Sequence, residues 1–210
     1  MQRFDIINTL IERYQLKNYL EIGVCDPNTC FNRIQTEYKT SVDPGVEYPE
    51  NPVEFKVTSD EFFDQLEQGN TKFNSDYKWD IIFIDGLHLA EQCYKDIKNS
   101  LNHLSDNGFI LIHDCNPPDG WHAREDYLVN GQYACWNGTV WKAFYKIRTE
   151  GLNLETYVID IIWGLGVIKK TKSTINIPQE NPFFEYNTMS NNRTKHLGLI
   201  SIEEFINKIK

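Results

Sequence analysis

Four ionisable residues stand at the ends of two apolar runs, and their types suffice for proton transfer. In Asp80-Ile81-Ile82-Phe83-Ile84-Asp85-Gly86-Leu87-His88 a continuous apolar segment stops at an acid, a glycine and then a histidine. Phe109-Ile110-Leu111-Ile112-His113-Asp114 repeats the pattern. Each run is short and rich in β-branched and aromatic residues, as in a strand buried on both faces. Open α/β sheets bind ligands beyond the carboxyl ends of their strands. Asp85, His88, His113 and Asp114, delivered to one such edge, would make a site. A histidine there supplies a base near neutral pH. A carboxylate beside it orients the ring or holds a cation. Asp85 alone equally suits a simple cap for a helix beginning near Leu89.

The flanking chain predicts what must carry these residues. Residues 2–15 place Phe4, Ile6, Ile7, Leu10, Ile11 and Tyr14 at helical spacing. Tyr19 to Val24 reads as a strand entering a glycine turn, and Asn28 or Thr29 caps a helix with Phe31 and Ile34 inside. Thr40 to Asp43 is a short strand closed by Pro44-Gly45, and Val53 to Val57 is another. Thr58-Ser59-Asp60 opens a helix carrying Phe62, Phe63 and Leu66, and a polar loop follows from Glu67 to Asp76. A helix over 89–101 and a turn at Ser105-Asp106-Asn107-Gly108 lead into the second run. Strands alternating with helices imply βαβ units and a mostly parallel, doubly wound sheet.

From Cys115 to Trp136 the periodicity breaks, and Trp121, Tyr127, Tyr133 and Trp136 are scattered through the break. A loop this long inside a compact domain is more often functional than not. Gly138 to Arg148 resumes as a helix, and 154–159 with 166–168 form an antiparallel hairpin. Residues 171–195 are polar and broken by prolines, and a last helix spans 201–209. The expected organisation is a domain over 1–170, with 115–136 as its acceptor-side loop, and an extension over 171–210 packed on it.

A chain of 210 residues is long enough for one sizeable core. A formal charge of −9 argues against a nucleic-acid footprint. No apolar stretch approaches the about 20 residues of a membrane span. The five cysteines are odd in number and form no CxxC pair. That pattern supports neither a disulfide framework nor structural zinc. Reduced thiols and a cytoplasmic location are the expectation.

Glu21-x-Gly23, with Asp43 about twenty residues on, is half of a dinucleotide fingerprint, in which the second acid holds ribose hydroxyls. The other half is missing. Where a pyrophosphate needs glycine amides, the chain has Cys25, Asp26, Pro27 and Asn28; Pro27 lacks an N–H and Asp26 repels phosphate. A cationic nucleoside without phosphates, such as S-adenosylmethionine (SAM), suits this turn better than NAD or FAD.

Five segments in order carry a resemblance: Tyr19-Leu20-Glu21-Ile22-Gly23-Val24, Val42-Asp43-Pro44-Gly45, Thr58 to Phe63, Phe83-Ile84-Asp85-Gly86-Leu87-His88 and His113-Asp114-Cys115-Asn116-Pro117. Together they resemble class I SAM-dependent methyltransferases with a Rossmann-like fold. They are most similar to a small branch with Asp-Gly-x-His and His-Asp-x-x-Pro motifs, associated with glycan biosynthesis. Trp136 to Ala143 also matches that branch, and Pro27 departs from the glycine common in the wider family.

The resemblance implies that Glu21, Gly23, Asp43, Ser59, Asp60 and Asp85 bind the cofactor, with Ser59 and Asp60 at the adenine. It implies His113, then His88, as the base, with Asp114 beside them. Asp85, Asp114 and Asn116 resemble the oxygen ligands by which catechol-type O-methyltransferases hold magnesium, while the histidines would admit manganese. Cys115 displaces the amide by one position from that pattern. The expected activity is SAM-dependent O-methylation of a sugar hydroxyl in a surface glycan. The alternatives are a catechol-like or natural-product hydroxyl, or a cofactor-binding module without activity. A homo-oligomer and fusion to glycosyltransferase domains are further expectations from the same branch.

Overall fold

The computed structural model describes every residue except Pro49, Asn130, Gly131 and Ala134, and omits the side chains of Gln132 and Tyr133. Two compact units emerge: Met1–Leu87 with Lys95–Leu111, and His88–Tyr94 with Ile112–Lys210. The boundary expected at residue 170 falls inside the second unit.

In the first unit, helix α1 (Arg3–Tyr14) turns Ile6, Ile7, Leu10 and Ile11 inward, as their spacing dictates. Strand β3 (Trp79–Ile84) is wholly apolar where it is buried, whereas β1 (Asn18–Ile22) also buries Glu21 and β2 (Tyr38–Val42) buries Thr40 and Ser41 beside Val42. With β4 (Leu104–Ile112) they take the order β2-β1-β3-β4. β1 is parallel to both neighbours, Leu20 facing Thr40 on one side and Ile82 on the other. Helix α2 (Ser59–Glu67) starts in a capping box between Thr58 and Glu61 and buries Phe62, Phe63 and Leu66. Phe62 meets Trp79 with ring centroids 5.9 Å apart. Helix α3 (Ala90–Asn102) and β4 are shared by the two units in sequence.

Three local expectations differ. After Asn28 only a single 3-10 turn forms, Phe31–Arg33. There Asp26 Oδ1 accepts from the Asn28 amide at 2.9 Å, and Thr29 Oγ1 donates to the Asp26 carbonyl at 2.7 Å. Such side-chain bonds offer the backbone an alternative to helix. The strand expected over 53–57 reduces to one bridge, Phe55 to Val42. The turn expected at 105–108 is absorbed into β4, where a β-carbon on Gly108 would lie 2.7 Å from the Asp80 carbonyl oxygen.

In the second unit, α4 (Val140–Thr149) buries Trp141, Phe144, Tyr145 and Ile147. β7 (Leu154–Ile159) and β8 (Leu165–Lys170) form the expected antiparallel hairpin, Thr156 opposite Ile168. A strand with no sequence signal, β9 (Leu199–Ile200), adds to β7 in parallel, giving the order β8-β7-β9. A miniature hairpin, β5 (Leu128–Val129) with β6 (Gln132–Tyr133), lies in the long loop. The polar tail holds two short helices, α5 (Tyr186–Ser190) and α6 (Arg193–His196), before α7 (Ile202–Lys208). No described helix is long and apolar enough to cross a membrane, and all five cysteines are free.

Candidate functional site

In the first unit the carboxyl ends of β1 and β3 are stitched by Asp85 N donating to the Ile22 carbonyl at 2.8 Å. Gly23 N reaches the Val42 carbonyl at 2.9 Å on the other side. Gly23 adopts φ +88°, and a β-carbon there would overlap the Asp85 carbonyl and the Gly86 α-carbon. The glycine is therefore demanded by the crossing of these strand ends. Its expected role toward a ligand comes on top of that.

Glu21, the second acid of this edge, is 3 % exposed. Burial pushes its pKa up to about 8, against the hydrogen bond from the Tyr19 hydroxyl, with the Asp85 charge adding to the rise. Arg3, at the start of α1, places its guanidinium 3.6 Å from Asp85. Its own pKa is raised: burial works against the charge, and the acids around it outweigh burial. Nothing in the sequence pattern singled out Arg3, since an arginine opening a helix has no distinctive spacing.

Asp43 is buried at the end of β2, its Oδ1 taking the Gly45 amide at 2.6 Å. That bond folds the Pro44-Gly45 turn around the carboxylate. Ser59 begins α2, and Asp60 stands in its first turn with its carboxylate 3.7 Å from Lys95. A helix start with an acid in the first turn is electrostatically favourable on its own account.

In the second unit, Asp114 stands two residues past the end of β4 in the left-handed region, φ +62°. Its carboxylate is 1 % exposed. Oδ2 lies 3.2 Å from His88 Nδ1, and Oδ1 lies 3.3 Å from His113 Nδ1. Asn137, fully buried, donates from Nδ2 to Oδ1 at 2.8 Å. The two histidines and the acid expected at this edge thus converge. His88 itself is fastened through its neighbours. Thr139 N donates to the His88 carbonyl at 2.8 Å, and Thr139 Oγ1 accepts from Ala90 N at 2.8 Å. Gly138, at φ +65°, has no side chain because one would strike the His88 carbonyl.

Asn137-Gly138-Thr139 was legible only as part of a family resemblance, since nothing in its spacing announces a tie to a residue 23 positions earlier. Asn116 behaves differently from its expected part. Its amide oxygen receives the Arg193 guanidinium and its amide nitrogen donates to Asp160 at 3.3 Å. With Asn116 committed to Arg193, and Asp85 to Arg3, two of the three expected metal ligands already face a cation.

In the acceptor-side loop, Trp136 stacks on His88 with centroids 5.2 Å apart and planes at 28°. Tyr127 tilts against Trp136 at 5.4 Å. Trp121 is half exposed under the Arg124 guanidinium. Arg124 does not reach outward: it donates to the carbonyls of Trp121, Cys135 and Tyr127. It acts as a staple of the loop, not as a receptor for an anion. The side chain of Tyr133 lies outside the described residues.

Residues 17–115 match the sequence profile of a family described as a methyltransferase domain. Among solved structures, the O-methyltransferase TomG of Streptomyces achromogenes, involved in tomaymycin synthesis and crystallised with SAM, is 12% identical. Its TM-score is 0.57, over 80% of this chain and 79% of that one. The O-methyltransferase of Bacillus cereus, in complex with S-adenosylhomocysteine (SAH), is 14% identical with a TM-score of 0.52, covering 80% of each chain. The SAH-bound methyltransferase PaMTH1 of Podospora anserina is 15% identical with a TM-score of 0.51, over 81% and 78%. No curated protein matches. These likenesses show the expected fold, a Rossmann-like α/β methyltransferase arrangement with a mostly parallel sheet.

The raised pKa of Glu21 has a measurable consequence. Between about pH 4.5 and about pH 8 the native protein retains a proton that the unfolded chain has released. Stability contributed by this group is therefore complete at the acid end of that window and declines toward the alkaline end. Glu21→Gln, which stays neutral, should flatten the fall of the urea midpoint across the window. Identical slopes for both proteins would contradict the assignment.

Proposed function

We propose that the protein is a SAM-dependent O-methyltransferase, and that the observation carrying this reading is the phosphate-averse, acid-bearing nucleotide cradle at the strand ends of the first unit. The cradle fits the cofactor on chemical grounds. Its first turn offers Asp26 and Pro27 where a pyrophosphate would need amides, and Asp43 and Asp85 at the neighbouring strand ends suit a cation, with Glu21 holding its proton between them. Asp43, with one oxygen spent on Gly45, keeps the other for ribose hydroxyls. Ser59 and Asp60 stand for the adenine and Asp85 for the amino group. Bound there, the cofactor supplies an electrophilic methyl group on a sulfonium.

The chain's own part is to hold the acceptor hydroxyl in line and to take its proton. With the Asp114 carboxylate 3.2 Å from His88 Nδ1 and 3.3 Å from His113 Nδ1, a proton on Nδ1 is favoured and Nε2 is left with the lone pair. His88 is the more exposed of the two, 22% against 9% for the side chain, and its ring leans on Trp136. His88 is accordingly the first choice of base and His113 the second, with Asp114 orienting both. No step is routed through a metal. The acceptor is a ring-bearing hydroxyl compound that lies against the aromatic loop. A sugar of a surface glycan is favoured by the branch resemblance, and a catechol-like hydroxyl is the second reading, since Trp121 and Trp136 would face either ring.

Calorimetry with SAM, SAH and NAD tests the cofactor, the first two binding and NAD not; tight NAD binding alone would end the proposal. Asp43→Ala should weaken SAH at least about 10-fold, because a buried charged acceptor is worth about 1.5–3 kcal/mol per bond. Once a glycoside or catechol panel yields an acceptor, His88→Ala should lower kcat about 10²–10⁴-fold with SAH affinity kept. A larger loss in His113→Ala would exchange the two roles. Turnover should survive EDTA; loss restored by magnesium or manganese would reinstate the metal.

A further inference from the structure

We infer that Arg193, carried by α6 in the C-terminal tail, is a positioning residue that holds the Asp114 carboxylate in place; its catalytic meaning rests on the function proposed above. Asp114 sits in the left-handed region, which non-glycine residues adopt uncommonly and at a cost that the surrounding structure must offset. What imposes it lies in the next four residues, and these are fastened from two sides. On one side a backbone strap supplies the bonds. Cys115 N donates to the Gly164 carbonyl at 3.1 Å and Asn116 N to the Trp163 carbonyl at 2.7 Å. Gly164, at φ +81°, lacks a side chain where one would strike Asn116.

On the other side stands Arg193. One terminal nitrogen donates to the Asn116 amide oxygen and to the Pro117 carbonyl at 2.9 Å. The other donates to the Pro118 carbonyl at 3.3 Å and to the Tyr186 hydroxyl at 2.8 Å. Tyr186 in turn donates to the Pro117 carbonyl at 3.3 Å. Pro117 and Pro118 carry no N–H, so this turn cannot close itself through reciprocal backbone bonds. Its carbonyls need donors from elsewhere, and a planar guanidinium offers several in one fixed fork. The four terminal N–H groups are spent on neutral oxygens, which makes Arg193 a clamp and not a receptor for substrate charge. Through Asn116 the clamp extends to Asp160. Without it, the residues after Asp114 lose one of their two anchors, and the carboxylate loses its register with Asn137, His88 and His113.

The test is the imidazole ¹H–¹⁵N spectrum of the full chain at one neutral pH, compared for wild type, Arg193→Met and Arg193→Lys. Wild type should show His88 and His113 as Nδ1-protonated rings. R193M should lose that pattern at one or both, while His103, in the first unit with its Nδ1 at the Tyr77 carbonyl, keeps its own. R193K should restore it in part, and it also serves if R193M does not fold. An unchanged His88 and His113 pattern in R193M overturns the inference, as does a parallel change at His103, which would mean general loosening. SAH calorimetry on the same samples separates the two claims. Wild type that binds no SAH defeats the proposed function, while the histidine spectra still decide the clamp.

Discussion

A carboxylate as deeply buried as that of Asp114 must be surrounded by donors, because an unpaired buried charge costs several kcal/mol. Among the described residues Asn137 donates an amide to it, and two imidazoles stand beside it, His88 Nδ1 at 3.2 Å and His113 Nδ1 at 3.3 Å. Everything else in the second unit that bears on chemistry follows from keeping those donors there. Thr139 and Gly138 seat the His88 backbone, Asn137 closes Oδ1, and the strap at 163–164 with Arg193 fixes the chain beyond the acid. The left-handed backbone of Asp114 aims its side chain at this group instead of along the strand. A histidine whose Nδ1 meets a fixed acid has its other nitrogen fixed as well, which is what a base must have.

The first unit answers a different electrostatic problem. Its strand-end edge carries three acids, Glu21, Asp43 and Asp85, which would repel one another if all were charged and dry. Each is handled separately. Glu21 keeps its proton by burial beside Tyr19, Asp85 faces Arg3, and Asp43 is held by a turn amide.

Much of this was legible in the sequence because it depends on local signals. The apolar runs 81–84 and 109–112 are strands, the α2 capping box begins at Thr58, and the terminal hairpin appears at 154–170. The positions of Asp85, His88, His113 and Asp114 followed from where those runs stop. What escaped depends on partners distant in the chain. Phe55 pairs with a single residue of β2, too little for a strand pattern to register. β9 exists through its neighbour β7, and two residues leave no period. Asn116 looked like an oxygen ligand by its place in a motif, yet Arg193, 77 positions later, claims that oxygen. Residue type is visible in sequence; prior commitment of a side chain is not.

A crystal structure of the protein with SAH bound tests the account most directly. The account predicts both ribose hydroxyls within hydrogen-bond reach of Asp43, with the homocysteine end passing Gly23. A nucleoside bound without contact to Asp43, or lying elsewhere on the molecule, would contradict it.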